Sequence, residues 1–195
     1  MLTSVKSRLH TYRFSLRQGA AVEVRPITGA DVSYLVDIFQ HLSADTLYSR
    51  FHQALEHVSA EMVLHESEQI VHSATENGRG WLAFVRLPGA PETPIGGARW
   101  AKLDEESAEI AMTVRDDYQG QGLGAHFLRI LVREGRKAGL KRLVGYVHAN
   151  NEPVWRMFRA CGLPYTVQSE GAVATVVIEL RRGGSTRRAP GRFQA

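Results

Sequence analysis

The stretch Tyr118-Gln119-Gly120-Gln121-Gly122-Leu123-Gly124 constrains this chain most, because a strand pattern, Ser107 to Val114, precedes it and a helix pattern, Ala125 to Ala138, follows. Three glycines in a strand-to-helix turn remove the Cβ atoms that would hold a ligand away. Successive main-chain N–H groups can then converge, and the helix adds its unsatisfied first-turn donors. The spacing predicts an anion cradle, with a phosphate-bearing ligand. A P-loop needs GxxxxGK followed by Ser or Thr, and no Lys follows these glycines, which argues against metal-assisted nucleotide hydrolysis. Gly120, Gly122 and Ala125 satisfy GxGxxA, but the dinucleotide context fails. Arg115, Asp116 and Asp117 interrupt the approach from the strand, and Lys141 and Arg142 stand about 20 residues on, where an acidic ribose ligand belongs.

The remaining patterns arrange themselves around that turn. Tyr12, Phe14 and Leu16 alternate before Gln18-Gly19 and Val22, Val24, which predicts a hairpin from Thr11 to Ile27. Met1 to Val22 carries four bases and no acid, as a transit segment does, but the alternation reads as structure. Helices are expected over 30–41, 44–53 and 59–68, with Asp31, Ser43 and Ser59 as caps. Strands over 80–87, 95–103 and 107–114 form an antiparallel meander. After the long helix come a strand over 142–148, a helix over 152–160 and strands near 165–168 and 173–180. Phe127, Leu128, Leu131 and Val132 fall at helical spacing, so one face of the long helix packs on the sheet.

The pattern that fits the glycine turn is QxxGxG at Gln119, Gly122 and Gly124. A second block, Asn151-Glu152-Pro153-Val154-Trp155-Arg156-Met157-Phe158-Arg159-Ala160-Cys161-Gly162-Leu163, is similar to NxxAxxLYxxxGF. Together they resemble the GNAT superfamily of acyl-CoA-dependent N-acyltransferases. Gly19 to Pro26, His41-Leu42-Ser43 through Tyr48-Ser49-Arg50-Phe51, and Ala108-Glu109-Ile110-Ala111 further resemble the acyltransferase domain of bacterial protein lysine acetyltransferases. The resemblance implies an α/β GNAT fold over residues 11–180: a mixed, mainly antiparallel sheet of six to seven strands flanked by helices. Residues 181–195, with five arginines and no acid, are expected to be a basic, disordered tail.

It also implies a site. The main-chain amides of Gln119, Gly120, Gln121, Gly122, Leu123 and Gly124 would hold the diphosphate of acetyl-CoA, and Asn151 would hydrogen-bond the same cosubstrate. The backbone from Met112 to Val114 would pair with its pantetheine arm, a β-bulge near Arg115 would open the gap, and one N–H there could polarise the thioester carbonyl. An attacking amine must be neutral, and a free lysine has a pKa near ~10.4, so at pH 7 only about one in two thousand is ready. Glu109 is the expected base. It shares one face of its strand with Ala111 and Thr113, where a buried carboxylate is costly without a purpose; at the sheet rim it would instead be solvated or salt-bridged. His148 is the alternative base. Phe158 occupies the position where many relatives carry a tyrosine acid, so water would finish protonating the thiolate.

The expected function is transfer of an acetyl group from acetyl-CoA to an amine. A protein lysine is the favoured acceptor and a small-molecule amine the alternative; a non-catalytic acyl-CoA-binding sensor is the reading from another class. The net charge of +4 resides in the tail, which argues against a specific nucleic-acid partner. Within the domain, 29–70 holds seven acids and one base, and 115–142 seven bases and three acids, suiting a cationic acceptor and a polyanion respectively. The sequence contains no apolar run of the ~18 to 20 residues that span a bilayer. The single Cys161 excludes an internal disulfide and fits a cytoplasmic location; a homodimer stays open. His57 and His65 flank Glu61, but His65-Glu66-Ser67-Glu68-Gln69 ends in Gln where HExxH needs His, so no metal is expected.

Overall fold

Alternation of apolar residues on two faces of the same strands dictates a sheet covered on both sides. In the computed structural model, which describes residues 10–44, 46–47, 59–86, 89 and 91–180, that is the architecture. The strands are β1 (Tyr12–Ser15), β2 (Ala21–Pro26), β3 (Gly78–Val85), β4 (Thr93–Lys102), β5 (Ser107–Val114), β6 (Arg142–His148), β7 (Tyr165–Glu170) and β8 (Val173–Glu179). The helices are α1 (Val32–Gln40), α2 (Ala60–Glu76), α3 (Leu123–Lys137) and α4 (Glu152–Ala160). The sheet order is β1-β2-β3-β4-β5-β6-β8-β7, with β5 and β6 parallel and the other neighbours antiparallel. The expected six to seven strands become eight, because the hairpins at both ends of the domain join the same sheet.

On β3, Trp81, Ala83 and Val85 enter the core formed with Phe127, Leu128 and Leu131 of α3, while Leu82 and Phe84 face Leu35, Ile38 and Ile70 of α1 and α2. The four apolar residues singled out on the long helix are all buried. The helix expected over 59–68 continues to Glu76, since Ile70, Val71 and Ala74 extend the stripe that Val63 and Ser67 begin. Ser59 caps α2 by accepting the Met62 N–H at 3.1 Å. Asp31 starts α1 without capping it; instead it accepts two bonds from Arg25, at 2.9 and 2.8 Å, and others from Thr28. Ser43 accepts the Thr46 N–H at 3.3 Å, and most of the segment expected to be helical over 44–53 lies outside the described residues. So do His57 and the tail.

Candidate active site

The parallel pair β5–β6 sets the site. Its register covers Ser107↔Arg142, Ala108↔Leu143 and Glu109↔Val144, after which the strands diverge although β5 runs on to Val114 and β6 to His148. The β6-facing edge of β5 is therefore without a strand partner from Ile110 to Val114 among the described residues, as pairing of Met112 to Val114 with an extended ligand arm requires. Next to the last paired residues, Gly145 of β6 lies against Ile110 of β5, and an added Cβ would meet its Cγ1 at 3.4 Å. The gap opens at the carboxyl ends of two parallel strands, where α/β sheets place their ligands. The expected bulge near Arg115 is not there. β4–β5 keeps register from Lys102↔Ala108 to Gly96↔Val114, and Arg115 N–H continues it to the Ile95 carbonyl at 3.0 Å. The register shift lies instead on β4, where Ala83 faces Gly96 and Phe84 faces Pro94, leaving Ile95 as the extra residue.

At the mouth of the gap the glycine turn takes the conformation its composition foretold. Gly120 has φ 71° and Gly122 φ 97°, both left-handed, and Gly122 begins α3 with no side-chain cap. The N–H groups from Gly120 to Ala125 have no hydrogen-bond partner among the described residues. Convergent, unspent donors at a helix N-terminus fit a diphosphate. The donor run starts one residue later than expected, because the Gln119 N–H is bonded to the Asp116 carbonyl at 3.2 Å. Gln119 braces the turn: its Nε2 reaches the Val114 carbonyl at 3.2 Å and Asp116 Oδ1 at 2.8 Å. Asn151 N-caps α4, accepting the Val154 N–H at 3.3 Å, so its Nδ2 is the group left for a ligand.

The segment between β5 and the glycines is bolted down by charges. Buried Arg115 binds Asp117 at 2.9 Å and Asp37 of α1 at 3.1 Å, and Asp116 accepts from Ser43 N–H and Thr46 Oγ1, both at 2.9 Å. Asp31 and Asp37, two of the seven acids over 29–70, are paired within the protein, as is Asp116 of the 115–142 segment, while Glu61 and Glu68 stay exposed.

Glu109 sits on β5 at the root of the gap. Its side chain is 33% exposed, and Oε1 lies 3.7 Å from Nη2 of Arg99, so it is an ion-paired, part-exposed carboxylate rather than a fully buried one. Arg99, on β4, was missed by the sequence reading; the signal was one charge within the apolar run Ile95 to Ala101. It lines a cleft with Ile27, Leu35, Phe39, Ala111 and Thr113 on the α1–α2 face of the sheet. His148 is buried four residues beyond Val144, about 13 Å further along its strand, so it does not join Glu109. Phe158 is packed against Trp155 and Tyr165 and offers no proton. Cys161 is half-buried, its Sγ 2.9 Å from the Phe158 carbonyl. Among the described residues no cluster of potential metal ligands occurs and no helix is long and apolar enough to cross a membrane.

The family model of the acetyltransferase (GNAT) domain matches residues 22–164. Acetyltransferase Pat of Mycolicibacterium smegmatis is 27% identical over 165 residues, 83% of this chain and 47% of that protein. An acetyltransferase of Pseudomonas aeruginosa is 27% identical over 165 residues, 84% of this chain and 85% of that one. The chain thus spans about half the length of the first relative and most of the second. Of solved structures, the GNAT domain of S. lividans PAT superposes with a TM-score of 0.72 at 24% identity, covering 87% of this chain and 96% of that one. The protein yncA of Salmonella typhimurium, solved with its cofactor acetyl-CoA, gives 0.58 at 18%, covering 84% and 96%. These two likenesses bear on the fold.

Proposed function

The chain belongs to the GNAT acetyltransferase family, and from that premise we propose that it transfers the acetyl group of acetyl-CoA to an amine, with a protein lysine as the acceptor. The observation that carries the reading is that, among the described residues, the edge of β5 beyond Glu109 is unpaired and ends in a turn whose N–H groups from Gly120 to Ala125 are all unspent. That edge suits an extended, amide-bearing arm, and the turn suits the diphosphate beyond it.

In this scheme Gly120, Gln121, Gly122, Leu123 and Gly124 hold the diphosphate, Met112 and Val114 pair with the arm, and Asn151 donates from Nδ2. Gln119 supports from behind. The amine approaches through the cleft on the α1–α2 face, and Glu109 takes its proton, directly or through water, as nitrogen attacks the thioester carbonyl. A main-chain N–H of β5 steadies the developing oxyanion, the C–S bond breaks, and water protonates the thiolate because Phe158 cannot. No covalent enzyme intermediate forms.

A lysine acceptor is supported by the 27% identity to acetyltransferase Pat and by the resemblance of the segments around Glu109 to protein lysine acetyltransferases. A small-molecule amine is the second reading, favoured by the apolar walls that Ile27, Leu35 and Phe39 give the cleft. The test follows free thiol at saturating acetyl-CoA with lysine-containing proteins and with small amines in parallel, alongside a proteome-wide comparison of lysine acylation with and without the protein. Thiol release with small amines alone moves the acceptor to that class; cosubstrate binding without thiol release leaves a sensor.

A further inference from the structure

We propose that Arg17, in the turn between β1 and β2, is a positioning residue that sets the cradle's amides in place from behind; this rests on the acetyl-CoA reading above. The Arg17 N–H donates to the Gln121 carbonyl at 3.2 Å, and its Nη1 donates to the Gly120 carbonyl at 3.4 Å. In a trans peptide the C=O and the following N–H point in opposite directions. Holding the carbonyls of Gly120 and Gln121 on the hairpin side therefore turns the N–H groups of Gln121 and Gly122 to the other side, towards the ligand.

The backing matters because the turn contains three glycines and α3 has no capping side chain; the side chains of Gln119 and Gln121 tie the turn to Val114, Asp116 and Asp117, and Arg17 is the tie to the hairpin. The hairpin is a firm base for it. Leu16 is buried, Phe14 stacks on His126 in the first turn of α3 at 3.7 Å, and Tyr12 bonds Glu134 at 2.6 Å. Arg17 itself has no carboxylate partner among the described residues, unlike its hairpin neighbours Arg13 and Arg25, so its charge also favours the anion that the turn receives.

The experiment compares wild type, Arg17→Met and Arg17→Lys, with Arg13→Gln as a hairpin control. Arg17→Met is expected to raise the KM for acetyl-CoA about fivefold with little change in kcat, Arg17→Lys to recover part of the loss, and Arg13→Gln to match wild type. Acetyl-pantetheine, which lacks the diphosphate, should be used equally well by wild type and Arg17→Met. Backbone order parameters of the ligand-free protein give the second readout: for the amides of Gly120 to Gly122 they should fall from about 0.85 towards 0.6 in Arg17→Met. An unchanged KM with unchanged order parameters overturns the proposal. A raised KM with a free loop as rigid as wild type also overturns it, making Arg17 a direct ligand. If wild type does not bind acetyl-CoA, the reading of the function fails, while the order parameters still decide whether Arg17 holds the turn.

Discussion

Arg99 of β4 reaches diagonally to Glu109 of β5, Nη2 to Oε1 at 3.7 Å, with the Nε of Arg99 buried and unbonded among the described residues. One partner is the proposed base, and its side chain is only part-buried, so its charge can be removed without opening the core. Glu109→Gln should lower turnover by about 10²- to 10⁴-fold while shifting stability by less than about 0.5 kcal/mol. Thiol release at saturating substrates and a thermal melt check both halves. Wild-type turnover in this variant would move the base elsewhere.

Arg99 should act through Glu109. Arg99→Met removes the partner that fixes the carboxylate and is expected to slow turnover about tenfold, whereas the same substitution added to Glu109→Gln should cost little more. The double-mutant cycle measures this directly. Additive losses would mean that Arg99 contacts the acceptor in its own right.

Gly122 carries φ 97° at the entrance to α3, a conformation that costs a residue with Cβ about 1–2 kcal/mol. Gly122→Ala should lose roughly that much stability and weaken acetyl-CoA further by tilting the amides. Gly124 is different: its added Cβ would meet only the flexible Met157 Sδ at 3.4 Å, so Gly124→Ala should melt close to wild type. Denaturation of the two variants side by side is the check. Equal losses would show that the turn is not held by its left-handed glycines.

The glycine turn and β5 were legible because local chemistry alone specifies them: positive φ demands glycine, and period-two alternation demands a strand. Strands 107–114 and 142–148 and helix 152–160 coincide with their expected limits for that reason. What stayed hidden depends on partners distant in sequence. Arg99 meets Glu109 only after β4 and β5 pair, and Arg17 meets Gly120 only after the hairpin docks on α3, 103 residues away along the chain. Asp31 looked like a helix cap because Asp caps helices, but the half-buried Arg25 offers two stronger bonds. The side-chain amide of Gln119 fell within a ligand motif, yet the nearest acceptors to it belong to Val114 and Asp116.

Two buried carboxylates away from the site tie the stability of the fold to acid pH. Asp31 and Glu134 are each buried, which alone would raise their pKa values, but hydrogen bonds from Arg25 and Thr28 to the first and from Lys137 and Tyr12 to the second outweigh burial and hold both below the ordinary carboxylate range. A carboxylate depressed in the folded state contributes stability that is fully present above its unfolded pKa, near ~4, and is lost as pH falls through the lower folded value. The melting temperature should therefore hold steady from neutral pH down to about 5 as far as these two groups are concerned, and fall below about 4. Asp31→Asn leaves Arg25 without its partner, and should cost roughly 3 kcal/mol at pH 7 while flattening the acid limb. Glu134→Gln should do the same on the α3 side, where Lys137 lies at 2.7 Å and Tyr12 OH at 2.6 Å. Melts from pH 3 to 7 decide it: both variants retaining the wild-type slope would place the acid sensitivity in other groups.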